Sequence, residues 1–289
     1  MSCDAFPALR GPVAVVGAGT MGHGIAQVAA MAGFETRLYD IDASVRAHAL
    51  ALVEANLDRG VELGKLEPTA RNAALESLTA TGDAAAAAAG AELVVEAVPE
   101  DLGLKQRVLA EFAALIAPEA ILASNTSSLS ITRIGEGVPA PERLVGLHFF
   151  NPVHIMSLVE VVRGDRTAER VLEQARSFVL ALGKEPIVVN DSPGFASSRL
   201  GVAIGLEAIR MLESGVASAQ DIDRAMELGY RHPMGPLRLT DLVGLDVRLR
   251  IARYLHSELG ERFRPPALLE RLVDEGKLGR KTGQGFYTW

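Results

Sequence analysis

Residues 13–24 read VAVVGAGTMGHG, and this stretch decides the fold. The first four residues are apolar and mostly β-branched, which is typical of a short buried strand. Gly17-x-Gly19-x-x-Gly22 follows at once and opens an apolar stretch of helical spacing that runs to Ala32. Glycines at these places permit a tight turn, close approach of a pyrophosphate and tight helix packing. The sequence therefore predicts a dinucleotide site, and its expected residues are Gly17, Gly19, Thr20, Met21 and Gly22.

The next strand, FETRLYD at residues 34–40, ends in an acidic residue. Asp40 lies 18 residues after Gly22, where a carboxylate accepts hydrogen bonds from the adenosine ribose hydroxyls. It would repel a 2′-phosphate, and the following residue is Ile41 rather than an arginine. The pattern favours NAD over NADP. Two other interpretations stay open: a purely structural glycine-rich turn, and a site for FAD, which shares this fingerprint.

The rest of the chain alternates between strand and helix patterns for about 190 residues. Strands are predicted at 13–16, 34–40, 92–98, 120–127, 143–150, 157–162 and 185–189. Helices are predicted at 43–77 with a break at 63–69, then at 83–90, 101–116 and 167–182. Residues 196–275 show only helical spacing. We therefore expect an α/β Rossmann-type doubly wound sheet domain at residues 1–191, followed by an all-α C-terminal domain at 192–289.

Composition and charge exclude several classes of function. The chain has 289 residues and a net charge of −7, so it has no general attraction for nucleic acid or for an anionic membrane. Its one cysteine, Cys3, forms neither an internal disulfide nor a cysteine-rich metal site. No apolar run reaches about 18 residues, the length that would span a membrane. We expect a cytoplasmic protein without a bound metal.

Residues 146–162, GLHFFNPVHIMSLVEVV, place a carboxylate in an otherwise apolar strand. A glutamate buried there, Glu160, is unfavourable unless it has a partner. Asn151-Pro152 breaks the chain between two strands, so a segment that folds back would bring His148 next to Glu160. Such a pair fixes the imidazole tautomer and suits a base that removes a hydroxyl proton. The spacing is equally consistent with a structural His–Glu bond at a sheet edge.

Six motifs together resemble one family of enzymes. They are VAVVGAGTMGHGIAQVAA, VVEAVPEDLGLKQRV, ASNTSSLSIT, GLHFFNPVHIMSLVEVV, SPGF and GRKTGQGFY, in that order along the chain. The sequence resembles the L-3-hydroxyacyl-CoA dehydrogenases from about Pro12 to Trp289, and most of all the monofunctional 3-hydroxybutyryl-CoA dehydrogenases. The resemblance implies oxidation of the 3-hydroxyl of a short acyl-CoA to a keto group while NAD is reduced. It also implies a cleft between the two domains and a homodimer formed through the helical domain.

The resemblance implies a role for each matching residue. His148 matches the catalytic base, Glu160 its carboxylate partner, and Ser127 a hydroxyl near substrate and nicotinamide. Further cofactor contacts are implied for Glu100, Lys105, Ser127, Asn151 and Lys281. In the stretch PGFASSRL, Ser198 stands where the family usually has a substrate-binding asparagine, which is longer and has two donors. Cations that could hold the CoA phosphates are Arg46, Arg59, Lys65 and Arg71.

Two alternatives to this function stay open. A dehydrogenase of free hydroxy acids, such as gulonate, would keep the same chemistry but would need no cations for CoA. A non-catalytic NAD-binding protein would need neither His148 nor Glu160, and Ser198 mildly favours that interpretation. Turnover with acetoacetyl-CoA and with free hydroxy acids distinguishes the three.

Overall fold

The computed structural model describes residues 8–289, and Cys3 therefore lies outside the described residues. The chain divides into two compact units, and the boundary in the sequence falls between Asp191 and Ser192. The functional roles that we predict for the two domains stay predictions.

Unit 1 is built on an eight-stranded sheet in the order β3-β2-β1-β4-β5-β6-β7-β8. The strands are β1 Val13–Val16, β2 Thr36–Tyr39, β3 Leu78–Thr81, β4 Leu93–Glu96, β5 Ile121–Ser124, β6 Leu144–Phe149, β7 Leu158–Arg163 and β8 Glu185–Asn190. Every pairing is parallel except that of β6 with β7. The strand order reverses between β1 and β4, and such a switch point is where ligands bind in open α/β sheets.

Seven helices accompany the sheet in the described part of unit 1. They are α1 Gly22–Met31, α2 Ala43–Glu62, α3 Pro68–Glu76, α4 Ala84–Ala88, α5 Leu102–Leu115, α6 Ile131–Gly135 and α7 Glu169–Ala181. The strands β1, β4, β5 and β6 are buried along their whole length, as expected where helices cover both faces. The prediction of a doubly wound α/β domain is confirmed.

The sequence did not predict strand β3. Its residues Leu78–Thr81 read LTAT, which is short and only half apolar. The strand pairs in parallel with β2 at the edge of the sheet, and that pairing is a contact between residues far apart in sequence. Edge strands lack the continuous apolar run that identifies a central strand. The sequence of β3 therefore could not be distinguished from the end of the helical pattern at residues 43–77.

Unit 2 is helical, as predicted. Its helices are α8 Ser197–Glu213, α9 Ala219–Tyr230, α10 Pro236–Val243, α11 Leu245–Leu259 and α12 Ala267–Asp274. The buried carboxylate of Asp241 accepts hydrogen bonds from the backbone N–H groups of Phe286 and Tyr287 and from the indole N–H of Trp289. These bonds tie the last residues of the chain to α10.

Candidate active site

The glycine-rich turn has the shape that a pyrophosphate needs. Gly17 has φ +100°, and a Cβ there would meet the Ala97 carbonyl oxygen at 2.9 Å. A Cβ at Gly22 would overlap the Gly17 carbonyl, whereas nothing lies within 4 Å of the Cβ position at Gly19. Helix α1 begins after Met21 without a side-chain cap. Open space at Gly19 beside an uncapped helix N-terminus fits the phosphates of NAD.

Asp40 joins this turn to the end of β2. Its Oδ2 accepts a hydrogen bond from Ala18 N at 2.9 Å, and its Oδ1 accepts one from Asp42 N at 3.0 Å. Each carboxylate oxygen has a second lone pair, so two further hydrogen bonds from a ribose fit the same group. Arg46 lies close by and donates to the Asp40 carbonyl oxygen at 2.6 Å.

Replacing Asp40 with alanine should weaken the preference for NADH over NADPH. The variant loses the acceptor for the ribose hydroxyls and the charge that repels a 2′-phosphate, so kcat/KM for NADH should fall roughly 10- to 100-fold. The measurement is kcat/KM for both cofactors, with Asp40→Asn as a variant that keeps an acceptor for Ala18 N. An unchanged cofactor ratio in Asp40→Ala would contradict this role.

His148 and Glu160 face each other across the single antiparallel pairing of the sheet. They are directly opposite in the β6–β7 register, and His148 Nδ1 lies 2.7 Å from Glu160 Oε2. Glu160 is 0% exposed and His148 5%. The Phe150 ring packs against the imidazole, with 4.4 Å between centroids. The carboxylate that the sequence placed among valines therefore has the partner that its burial requires.

Glu100 organises the turn that contains Ser127. Its Oε1 accepts hydrogen bonds from Thr126 Oγ1 at 2.6 Å, from the Ser127 backbone N–H at 3.1 Å and from Ser128 Oγ at 3.2 Å. Burial by itself would raise the pKa of the Glu100 carboxyl, but Lys105 and these donors together hold that pKa below its usual value. Glu100 is therefore an anion that fixes the Ser127 backbone.

Beneath this turn lies a buried ion pair that the sequence analysis missed. Lys105 is 1% exposed, and its Nζ donates to Glu96 Oε1 at 2.8 Å and to Val98 O at 3.1 Å; it lies 3.4 Å from Glu100 Oε2. Ser124 Oγ donates to the other oxygen of Glu96 at 2.6 Å. Burial raises the pKa of Glu96, and Lys105 offsets only part of that effect. A glutamate in the apolar strand LVVE was the available signal, as at Glu160.

Asn125 is a second residue that the sequence analysis missed. It follows β5, and its Oδ1 accepts a hydrogen bond from Phe149 N at 2.9 Å, beside His148. This bond fixes the end of β6 against the end of β5. Its signal was position alone, since polar residues at the carboxyl ends of parallel strands gather at one edge of the sheet.

The remaining predicted residues are not brought into these clusters. Asn151 is exposed on the β6–β7 connection. In unit 2, Lys281 Nζ lies 2.5 Å from Asp246 Oδ1, and Ser198 lies in the first turn of α8. Contact of these three residues, and of Lys105, with cofactor or substrate stays a prediction.

Residues 8–289 lack two features that would indicate other classes of protein. Within that range no three His, Cys, Asp or Glu side chains are arranged to hold a metal ion. In the same part of the chain, no helix has the length and apolar character needed to cross a membrane.

Comparison with known proteins covers both units. The family model "3-hydroxyacyl-CoA dehydrogenase, NAD binding domain" matches residues 12–192, and "3-hydroxyacyl-CoA dehydrogenase, C-terminal domain" matches 194–289. The chain is 42% identical over 278 residues to a 3-hydroxybutyryl-CoA dehydrogenase of Bradyrhizobium diazoefficiens, covering 96% of this chain and 94% of that one. It is 43% identical to a 3-hydroxyadipyl-CoA dehydrogenase of Escherichia coli, over 96% of this chain and 58% of that protein. The crystal structure of (S)-3-hydroxybutyryl-CoA dehydrogenase PaaH1 from Ralstonia eutropha superposes with a TM-score of 0.93 at 38% identity, covering 97% of this chain and 99% of that one.

Proposed function

Because this chain belongs to the 3-hydroxyacyl-CoA dehydrogenase family, we propose that it interconverts (S)-3-hydroxyacyl-CoA and 3-ketoacyl-CoA of short chain length, with His148 as the base. It is an NAD-dependent oxidoreductase. The observation that carries the proposal is the buried contact of 2.7 Å between His148 Nδ1 and Glu160 Oε2.

The His148–Glu160 contact selects the tautomer that a base requires. An ionised Glu160 accepts a hydrogen bond from the Nδ1–H group of His148, and an imidazole that carries its hydrogen on Nδ1 has its lone pair on Nε2. In the oxidation, Nε2 takes the proton of the substrate 3-hydroxyl, while Glu160 stabilises the imidazolium that forms. NAD, when bound, supplies the hydride acceptor. In the reverse reaction the same nitrogen returns the proton to the keto oxygen.

Ser127 orients the substrate in this proposal. Its backbone N–H donates a hydrogen bond to Glu100 Oε1 at 3.1 Å. The hydroxyls of the neighbouring residues Thr126 and Ser128, which are both buried, donate to the same oxygen. A hydroxyl on so constrained a turn loses little conformational entropy when it donates to the substrate oxygen. Ser198 would add a second hydroxyl from the first turn of α8.

Family membership leaves the acyl chain open, since the relatives' names include both 3-hydroxybutyryl-CoA and 3-hydroxyadipyl-CoA. Among the four cations considered for the CoA phosphates, Arg59 pairs with Glu62 and Arg71 with Glu54 and Asp58. Lys65 is exposed and has no ion pair within the described residues, which favours it as a phosphate contact.

A homodimer through unit 2 is part of the proposal. Two helices that pack together there, α8 and α10, expose large apolar side chains. They are Leu200, Ile204, Leu239, Leu242 and Val243. Exposed apolar residues gathered on one pair of helices are typical of an interface. Sedimentation of the intact protein tests whether it is a dimer. A cytoplasmic location stays a prediction.

The proposed reaction predicts consumption of NADH when acetoacetyl-CoA is added. A well-formed site should give kcat on the order of 1–10³ s⁻¹. The measurement is steady-state loss of NADH absorbance, with free acetoacetate as the control that lacks CoA. Binding of NADH without turnover of acetoacetyl-CoA would contradict the proposal, and turnover of the free acid alone would favour the hydroxy-acid alternative.

A further inference from the structure

Arg248 on helix α11 is a buried cation for which residues 8–289 supply no anionic partner. The residue is 8% exposed, and its Nε atom is buried without a hydrogen bond. Within residues 8–289, Nη1 and Nη2 of Arg248 also make no hydrogen bond to a side chain and no ion pair. Arg143 is buried to a similar degree, but it donates to Ala113 O at 2.7 Å and Ala117 O at 2.9 Å. Arg143 Nε is likewise buried without a hydrogen bond, so the two arginines differ in their terminal nitrogens, which make hydrogen bonds only in Arg143.

The surroundings of Arg248 do not neutralise its charge. Burial lowers the pKa of the guanidinium to about 10, and no nearby carboxylate counters that effect. The group therefore stays protonated at neutral pH. A buried cation is unfavourable until an anion accepts its hydrogen bonds, and the planar fork of an arginine matches a carboxylate.

Gly201 on helix α8 makes room for this fork. A Cβ at position 201 would lie 3.2 Å from Arg248 Nη1 and 3.8 Å from Nη2, so the guanidinium lies against the bare backbone of the helix. Ser198 is three residues earlier on α8. Residues at i and i+3 share one face of a helix, about 4.5 Å apart along its axis. Arg248 therefore lies about one helical turn beyond the hydroxyl that we propose as a substrate contact.

We propose that Arg248 binds a carboxylate of the substrate and so makes the enzyme selective for an anionic acyl chain. The inference rests on the proposed function. With the reacting carbon near Ser198, a short methylene spacer would carry a terminal carboxylate to the guanidinium. The carboxylate has two possible sources: the far end of a dicarboxylic acyl-CoA, or the acid group of a free 3-hydroxy acid that has no CoA.

A matched pair of substrates isolates the terminal group. 3-Oxoadipyl-CoA and 3-oxohexanoyl-CoA have the same number of acyl carbons and differ in a carboxylate against a methyl. We expect wild-type kcat/KM to be at least roughly tenfold higher for 3-oxoadipyl-CoA. Arg248→Met should lower that value roughly 10- to 100-fold and leave 3-oxohexanoyl-CoA within about threefold. Arg248→Lys keeps the charge but loses the planar fork, so its kcat/KM for 3-oxoadipyl-CoA should lie between those of the wild type and Arg248→Met.

Arg250 supplies the control, because it is an exposed arginine on the same helix. Arg250→Met should leave kcat/KM unchanged for both substrates. Removing a buried charge in Arg248→Met should leave the protein folded, and Arg248→Lys serves as the second variant if it does not.

Three results would overturn the proposal. Equal losses on both substrates in Arg248→Met would place the guanidinium at the reacting oxygen. An Arg248→Met enzyme with unchanged kcat/KM for both substrates would assign Arg248 a structural role. A change in oligomeric mass with an unchanged substrate ratio would assign its carboxylate to a second copy of the chain.

A separate measurement distinguishes failure of this inference from failure of the proposed function. Wild-type enzyme is assayed with acetoacetyl-CoA and, in the oxidative direction, with free 3-hydroxybutyrate. Turnover of acetoacetyl-CoA with no preference for 3-oxoadipyl-CoA keeps the function and rejects the role of Arg248. Turnover of the free acid alone, sensitive to Arg248→Met, rejects the CoA substrate and keeps a carboxylate site at Arg248.

Discussion

Replacing His148 with alanine should lower kcat by ~10²–10⁴-fold and leave NADH binding nearly intact. The variant removes the group that accepts the hydroxyl proton, while the glycine-rich turn and Asp40 belong to other strands of the sheet. Steady-state kinetics with acetoacetyl-CoA gives kcat, and a fluorescence titration gives the Kd of NADH. His48→Ala, at an exposed histidine on α2, is the matched control.

Glu160→Gln is the companion variant. Glutamine keeps the shape of the side chain but offers no charge to stabilise the imidazolium, so turnover should also fall. A His148→Ala enzyme that retained more than about a tenth of wild-type activity would require another base. Loss of NADH binding in either variant would indicate a folding defect.

Replacing Lys105 with methionine should destabilise unit 1 by about 3–5 kcal/mol. The change leaves Glu96, which is 0% exposed, without the cation that stabilises its charge. It also removes the cation beside Glu100, so the turn at Ser127 should loosen and kcat should fall. Denaturant unfolding measures the first effect and steady-state kinetics the second.

Two further variants separate charge from packing. Lys65→Met, at an exposed lysine, should change the free energy of unfolding by less than about 0.5 kcal/mol. Adding Glu96→Gln to Lys105→Met removes the unpaired charge and should restore part of the stability. A single variant Lys105→Met as stable as the wild-type protein would contradict the buried-pair argument. A double variant that folds well but binds NADH poorly would instead favour direct contact of Lys105 with the cofactor.

The central part of the fold could be predicted because its signals are local. The apolar strand before Gly17, the three glycines and the acid at the end of β2 each fall within a few residues of the element that they define. Strand β3 could not be predicted in this way, because LTAT becomes a strand only through pairing with β2. Propensity over four residues is too weak to identify such an edge strand.

The site was predictable where burial requires a partner. Glu160 in an apolar strand implied a nearby donor, and His148 was the candidate only 12 residues away. The same reasoning applied to Glu96 would have led to Lys105, nine residues along the chain. It was harder there because lysine is almost never fully buried, and a helical pattern does not show which lysine faces inward.

Arg248 shows the same limit of sequence patterns. Residues 247–253 read VRLRIAR, with three arginines in seven positions. Periodicity predicts a helix with several cations, and only the packing of α11 against α8 distinguishes buried Arg248 from exposed Arg250.

In the hairpin of β6 and β7, the geometry of the His148–Glu160 pair is independent of the sequence of the connecting segment. His148 and Glu160 are paired by the ladder itself, and a slip of one residue would turn the carboxylate to the opposite face of the sheet. The connecting segment, residues 150–157, does not set their distance. Beyond Phe150, whose ring packs on the imidazole, insertions or exchanges in that segment can therefore leave the His148–Glu160 pair in place, which gives residues 151–157 room to diverge within a lineage.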